Sequence, residues 1–329
     1  MPTEDIEKNQ RMGRGVVDSV ALLDRRAWAI RWSSRVQSFR LAERALQVAS
    51  KGSLTDQASA LRTLGWQARW RGDFEQAESF AEQALRRLEP DLAPVLQADA
   101  LSILAVVHYS RGRRDVARRA VEFGFEKLGA HEAAETRVDL LLSATNIERG
   151  SKRFDEAALL LDRALEIASG PELARVEHDQ ARACYADGDA ECALEWGQRA
   201  VNSARVFRNR VILPYALEAV GGAYRMLGRE PEAAAHLEEG GRIAAEDGDG
   251  RVACQCMAER AQLALDEGDC AGALEPARQG LEQARSMGYV VWQKKFLTII
   301  SAAAEGGGAL DEALAASKAL HVVKDCERD

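Results

Sequence analysis

The sequence predicts an all-α chain in which one helix–turn–helix unit is repeated about eight times. Three observations carry that expectation. Leu, Ala, Arg and Glu dominate the 329 residues, which favours helix, while Val, Ile and Thr are comparatively sparse, which disfavours a large sheet. A turn glycine is followed five residues later by alanine at Gly72/Ala77, Gly112/Ala117, Gly188/Ala193, Gly228/Ala233, Gly268/Ala273 and Gly308/Ala313. With Ala157 after a looser turn at Gly150, successive marker alanines lie 40, 40, 36, 40, 40 and 40 residues apart. Such a period denotes stacked supersecondary units rather than one globular core.

Side-chain size repeats with the same register. Seven residues before each glycine stand Gly65, Ala105, Ser143, Ala181, Gly221, Ala261 and Ser301. Seven after each marker alanine stand Ala84, Gly124, Ala164, Ala200, Gly240, Gly280 and, breaking the run, Leu320. Small residues in register let helix backbones approach, and bulk there would cost about 1–3 kcal/mol in overpacking.

In chain order, residues 1–15 read as a polar tail and residues 16–306 as the repeat array. Val16 to Trp32 and Ser33 to Ser50 form a degenerate first pair, with Ser38 in the marker-alanine slot and an apolar stripe at Leu41, Ala45 and Leu46. Six clearer pairs follow to Met287, and an eighth runs from about Tyr289 through a turn at Gly306, Gly307 and Gly308. About sixteen helices result. Pro94, Pro171, Pro214 and Pro231 suit helix starts, where a missing N–H costs little, whereas Pro276 falls inside a helix and should kink it. The short interval near Gly170 and the long turn from Gly150 to Ala157 read either as a tolerated insertion and deletion or as a seam between two halves. Residues 307–329 form a terminal helix that either caps the array or couples it to a further domain.

The small residues at these spacings, with Phe74 and Phe154 beside the turns, resemble tetratricopeptide repeats. The period is longer than the usual 34 residues. In that respect the chain is similar to bacterial regulators of the maltose-regulator type and to sensory regions preceding diguanylate-cyclase domains. The resemblance covers about residues 16 to 323. It implies a right-handed α-α superhelix, a solenoid whose first helices line a concave face. It also implies a non-enzymatic scaffold for a protein or peptide, serving as the regulatory region of a bacterial signalling protein. A small-molecule-responsive regulator with its ligand inside the superhelix is the alternative.

The residues themselves exclude several chemistries. A formal net charge of -8 gives no reason to expect nucleic acid as partner. No apolar run approaches the roughly 20 residues that span a bilayer, and the start has no secretory core, so a cytoplasmic protein is expected. The six cysteines read as scattered reduced thiols. Cys254 and Cys256 point to different faces of a helix and cannot chelate together. No phosphate loop, His-Glu-x-x-His motif or catalytic triad is visible, so neither enzyme activity nor a cofactor or metal is expected.

Recognition by a surface remains. Aligning the pairs on their turn glycines puts Arg62, Trp66, Arg69, Trp70, Tyr109, Arg175, His178, Arg182, Tyr185, Tyr215 and Arg225 on the lining, with Asp99, Glu148, Glu218, Gln255, Asp266 and Lys295. The N-terminal half is thus rich in arginine and aromatics, the composition of binding hot spots, and suits an acidic or C-terminal segment. The other reading is that Trp66 and Trp70 are inter-helix packing and the arginines a solvated face. Trp28 and Trp32 near one end, and Trp292 and Phe296 near the other, would either cover the ends of the array or form a homodimer.

Overall fold

In the computed structural model, residues 20–49, 52–89 and 92–325 are described, and all their regular structure is helical. The expected polar tail and the start of the first helix lie outside these residues. The sixteen helices begin with α1 (20–29), α2 (Arg35–Ala49), α3 (Leu54–Arg71), α4 (Phe74–Arg86), α5 (Pro94–Ser110), α6 (Arg114–Leu128), α7 (Ala134–Gly150) and α8 (Phe154–Ile167). They continue with α9 (Pro171–Ala186), α10 (Ala190–Val206), α11 (Leu213–Met226), α12 (Glu230–Glu246), α13 (Gly250–Asp266), α14 (Cys270–Ser286), α15 (Val290–Gly306) and α16 (Leu310–Asp325). The odd-numbered helices are the first members of the eight pairs.

The chain divides into two compact units. Of the described residues, the N-terminal unit holds those up to Asp179 together with Phe207–Val211, and the C-terminal unit holds Gln180–Val206 and those from Ile212 to Asp325. In the first unit α3 touches α5 and α5 touches α7, besides the partner helix of each pair; in the second, α11 touches α13 and α13 touches α15. First helices therefore have neighbours on several sides, and their sequences show it. Of the 18 residues of α3, twelve are buried, including Arg62, Gln67 and Arg69, whereas α4 buries only the stripe Ala77, Ala81 and Ala84. An element buried nearly all round loses the amphipathic signature that marks a surface helix.

The turns follow from backbone sterics. Gly72 takes φ 78°, the left-handed region that L side chains avoid, and its N–H closes α3 on the carbonyls of Ala68 and Arg69. Asp73 then accepts from the backbone N–H of Gln76 at 3.0 Å and caps α4. Asp189 and Asp269 cap α10 and α14 in the same way, on Cys192 and Gly272.

Two expectations are corrected. Gly150 is the last residue of α7, not the turn; Lys152 takes the left-handed position at φ 60°. The five-residue spacing to Ala157 is thereby kept, and the long turn disappears. The largest break in rhythm among the described turns is a 36-residue step from Lys152 to Gly188, short by about one helical turn. The packing slot shifts from Ser143 to Thr145, whose hydroxyl donates to the Leu141 carbonyl at 2.9 Å. Secondly, Cys184 and Cys192 are not free thiols. Their sulfurs are bonded across the α9–α10 turn, because residues four before and four after the turn glycine face each other there. Pro276 lies inside α14, where the sequence placed it, and removes the helical donor for the Gly272 carbonyl. Cys254 and Cys256 are buried, and burial pushes the Cys254 thiol up to about 11.

Candidate functional site

In the N-terminal unit the arginines read as a basic lining are buried and already neutralised. Arg62 donates to Asp99 at 2.8 Å and lies 3.5 Å from Asp24. Asp24 also accepts from the hydroxyls of Ser59 and Thr63, and Asp99 from that of Thr136 at 2.7 Å. Arg175 pairs with Asp139, and Arg69 stands 3.9 Å from the same carboxylate. Trp66 and Trp70 pack together inside the unit as a tilted pair, with ring centroids 5.8 Å apart.

The first helix pair seals this interior. Trp32 packs edge-on against Trp66 at 4.8 Å and donates through Nε1 to Glu172 at 3.0 Å, a residue 140 positions away. Arg31 pairs with Glu135 and Glu172, and its guanidinium stacks 3.9 Å over the Trp28 ring. Arg62 lies 3.4 Å over the same ring. The carbonyl of Trp32 accepts from the backbone N–H of Arg210 at 2.8 Å.

Burial dominates the titration of this cluster. It lowers Arg31 to about 10 against the pull of Glu172, and it raises the carboxyls of Asp99 and Glu172. At Asp139 burial acts upward as well, but Arg175, Arg69 and Arg31 together outweigh it and hold the group below the usual carboxylate range. Beside the cluster a cleft of about 510 Å³ opens between α1 and the first turns of α3 and α5, lined among others by Asp24, Ser59, Arg62, Leu96, Asp99 and His131.

The first helices of the C-terminal unit present a different picture. Arg225 on α11 engages all three of its nitrogens: Nε on Glu259 at 3.0 Å, one terminal nitrogen on Asp266 at 2.8 Å, the other on the Tyr185 hydroxyl at 3.0 Å. Lys295 on α15 donates to the second oxygen of Glu259 at 2.9 Å. Tyr185 lies across Gly222, where an added Cβ would meet the ring at 3.0 Å. Arg182 is exposed, and Tyr185, Glu218, Arg225, Gln255 and Lys295 are half-buried. Burial first, and then Glu259, raises the Glu218 carboxyl to about 7. Tyr215 is buried apart from them, its hydroxyl donating to Asp249 and accepting from Arg251.

Of the lining residues read from the sequence, Arg62, Trp66, Arg69, Trp70, Arg175, His178 and Tyr215 thus lie inside their units. Tyr109 is half-buried against Gly150. Arg182, Tyr185 and Arg225 remain accessible and share one neighbourhood, through Tyr185 and Glu218. Trp32 and Phe296 are likewise buried, at 3% and 0% exposure, so neither is surface. Sequence reasoning missed Asp24, Asp139, Glu172 and Glu259, the acids that neutralise the arginines, and Arg31. A signal was present: Arg62–Asp99, Arg175–Asp139, Arg225–Glu259 and Lys295–Glu259 are separated by 37, 36, 34 and 36 residues, close to one repeat.

No protein-family model matches the chain, and no curated protein matches it in sequence. Solved structures do match. A signal-transduction ATPase with numerous domains from Pyrococcus horikoshii, which carries a tetratricopeptide-repeat sensor, aligns with TM-score 0.63 at 17% identity. The match covers 94% of this chain and 47% of that one, so the chain spans about half the length of the ATPase. The fold is of the tetratricopeptide-repeat type. A Rap protein in complex with Competence and Sporulation Factor aligns with TM-score 0.64 at 14% identity, over 94% of this chain and 98% of that one. The Rap conjugation gene regulator of the plasmid pLS20, in complex with the Phr* peptide, aligns with TM-score 0.62 at 14% identity, over 93% and 96%. Among the described residues no helix is long and apolar enough to cross a membrane.

Proposed function

We propose that this tetratricopeptide-type array is a non-enzymatic scaffold in a signalling protein. On this reading it binds a segment of a protein or peptide partner on the first helices of its C-terminal unit. The observation that carries the reading is the contrast between the two units. The N-terminal polar cluster is buried, covered by Trp28, Arg31 and Trp32 and reached from the cleft beside Asp24 and Asp99, whereas Arg182, Tyr185, Glu218 and Lys295 form a polar row that is exposed or half-buried. Aromatic and guanidinium groups on a rigid helical face are suited to anchor a segment without reorganisation. The likeness to Rap proteins, two of them solved in complex with partners, supports the reading at the level of fold.

The test is affinity capture with the full chain as bait, followed by titration of the captured partner against variants. Arg182→Ala and Tyr185→Ala, at exposed or half-buried positions, are each expected to weaken binding by tenfold or more, about 1.4 kcal/mol. Arg62→Ala breaks a buried ion pair and is expected to reduce folding stability instead. Unchanged affinity in both C-terminal variants would reject this face as the binding site. The cleft beside Asp24 and Asp99 supports the alternative, a small-molecule regulator, because its volume of about 510 Å³ falls in the range of ligand sites. A ligand there would be blocked by bulk at Leu96 or Ser59 and indifferent to Arg182.

A further inference from the structure

The C-terminal face carries acceptors as well as arginines, and two of these acceptors meet no donor. Each nitrogen of Arg225 is already engaged, with Glu259, Asp266 and Tyr185, through three of its five N–H donors. Lys295 is committed to Glu259. Asp266 also accepts from Gln262 at 2.9 Å. On the same face two acceptors stay unmatched. The Glu218 carboxyl, half-buried on α11, takes part in no hydrogen bond or ion pair. On α13 the Gln255 side-chain oxygen is buried and accepts nothing. Gln255 and Glu259 are four residues apart and so share a helix face, and Glu259 is the carboxylate next to Glu218. By contrast Asp24, Asp99, Asp139, Glu172 and Glu259 each accept from at least one protein donor. A half-buried carboxylate left without donors is costly, and a cation is the partner that removes the cost.

We propose that Glu218, with the Gln255 side-chain oxygen, is a receptor for one cationic group, an ammonium or guanidinium, carried by the bound segment. The proposal rests on the reading that a segment lies on this face, and it names the charge that segment must bring. Of Glu218, Glu259 and Asp266, Glu218 is the one with no hydrogen-bonded cation, and the incoming group supplies it. Tyr185 and Arg225 act as positioning residues that hold Glu259 beside the site. The charged and titratable groups around Glu218 are Arg182 and Tyr185 from α9, Arg225 on its own helix, Glu259 and Cys256 from α13, and Lys295 from α15. A carboxyl that is half-ionised near pH 7 must lose its proton to bind a cation. Its ionised fraction rises from about a tenth at pH 6 to about nine-tenths at pH 8, so affinity for the cation rises about tenfold over that range.

The experiment titrates the full chain, labelled with ¹³C at glutamate carboxyls, with Nα-acetyl-argininamide and with its neutral analogue Nα-acetyl-citrullinamide. The cation should move the Glu218 resonance saturably, more tightly at pH 8 than at pH 6 by about tenfold, and the neutral analogue should not. Glu218→Gln should abolish cation binding and its pH dependence, read on the probe's own resonances, while leaving the helical signal unchanged. Equal responses to the two probes, or no displacement of Glu218 by the cation, would overturn the assignment. Partners captured for the scaffold reading separate the two claims. A partner that needs Arg182 but binds Glu218→Gln as well as the wild type refutes the cation receptor and leaves the scaffold standing. Argininamide binding at Glu218, with no partner dependent on Arg182 or Tyr185, does the reverse.

Discussion

Replacing Gly280 by alanine is a direct reading of how close two helix pairs come. Gly280 lies on α14, and a Cβ there would sit within the ring of Phe296 on α15, a side chain with 0% exposure. The ring belongs to a packed cluster with Cys254, Ala258, Ala277 and Ile300, so it has no free volume to move into. Overpacking of this kind costs about 1–3 kcal/mol, against a gain of about 1 kcal/mol from replacing glycine inside a helix. The net expectation is a loss of about 1 kcal/mol. Gly65→Ala is the matched control. It too replaces a small-slot glycine, but its Cβ would meet Phe80 and Ala77 at 3.4 and 3.5 Å, near ordinary contact. There the helix-propensity gain survives, and a stabilisation of about 0.5–1 kcal/mol is expected. Because a repeat array need not unfold in one step, amide hydrogen exchange is the suitable assay, read on α14–α15 for one variant and α3–α4 for the other. If Gly280→Ala protects α14 and α15 as well as the wild type does, or Gly65→Ala loses as much as Gly280→Ala, the argument from backbone approach is wrong.

Further outcomes follow from the turns and the buried charges. Lys152→Gly removes a left-handed strain of about 1–2 kcal/mol, partly offset by the greater freedom of glycine in the unfolded chain. It is expected to slow exchange in α7 and α8 by up to about 1 kcal/mol, and faster exchange would refute the strain. Asp139→Asn at neutral pH leaves Arg175 and Arg69 without their shared carboxylate, and a loss of about 3–5 kcal/mol is expected in denaturation of the N-terminal unit. The folded value of Asp139 is depressed, so its contribution is complete above the ordinary value of 3.8 and lost as pH falls through the folded value. The gap between wild type and Asp139→Asn should therefore close on acidification, and a gap independent of pH would show that the ion pair is not its cause.

The sequence by itself determined the helix pairs. Their evidence is local: a left-handed glycine, an N-cap aspartate such as Asp73, and small residues at a set interval, each acting within one or two turns of helix. It could not determine which lining residues meet solvent, because that depends on contacts one repeat or more away. Arg62 and Arg175 look like free cations until Asp99 and Asp139 arrive from the next and the preceding first helix. Trp32 looks like an end cover until it reaches Glu172, 140 residues on. Lys152 hid the regularity of its own turn, since only the backbone shows that a lysine has taken the glycine conformation. Periodicity reports local geometry, which the chain encodes residue by residue. Charge neutralisation and solvent access are properties of surfaces that exist only once the pairs have packed.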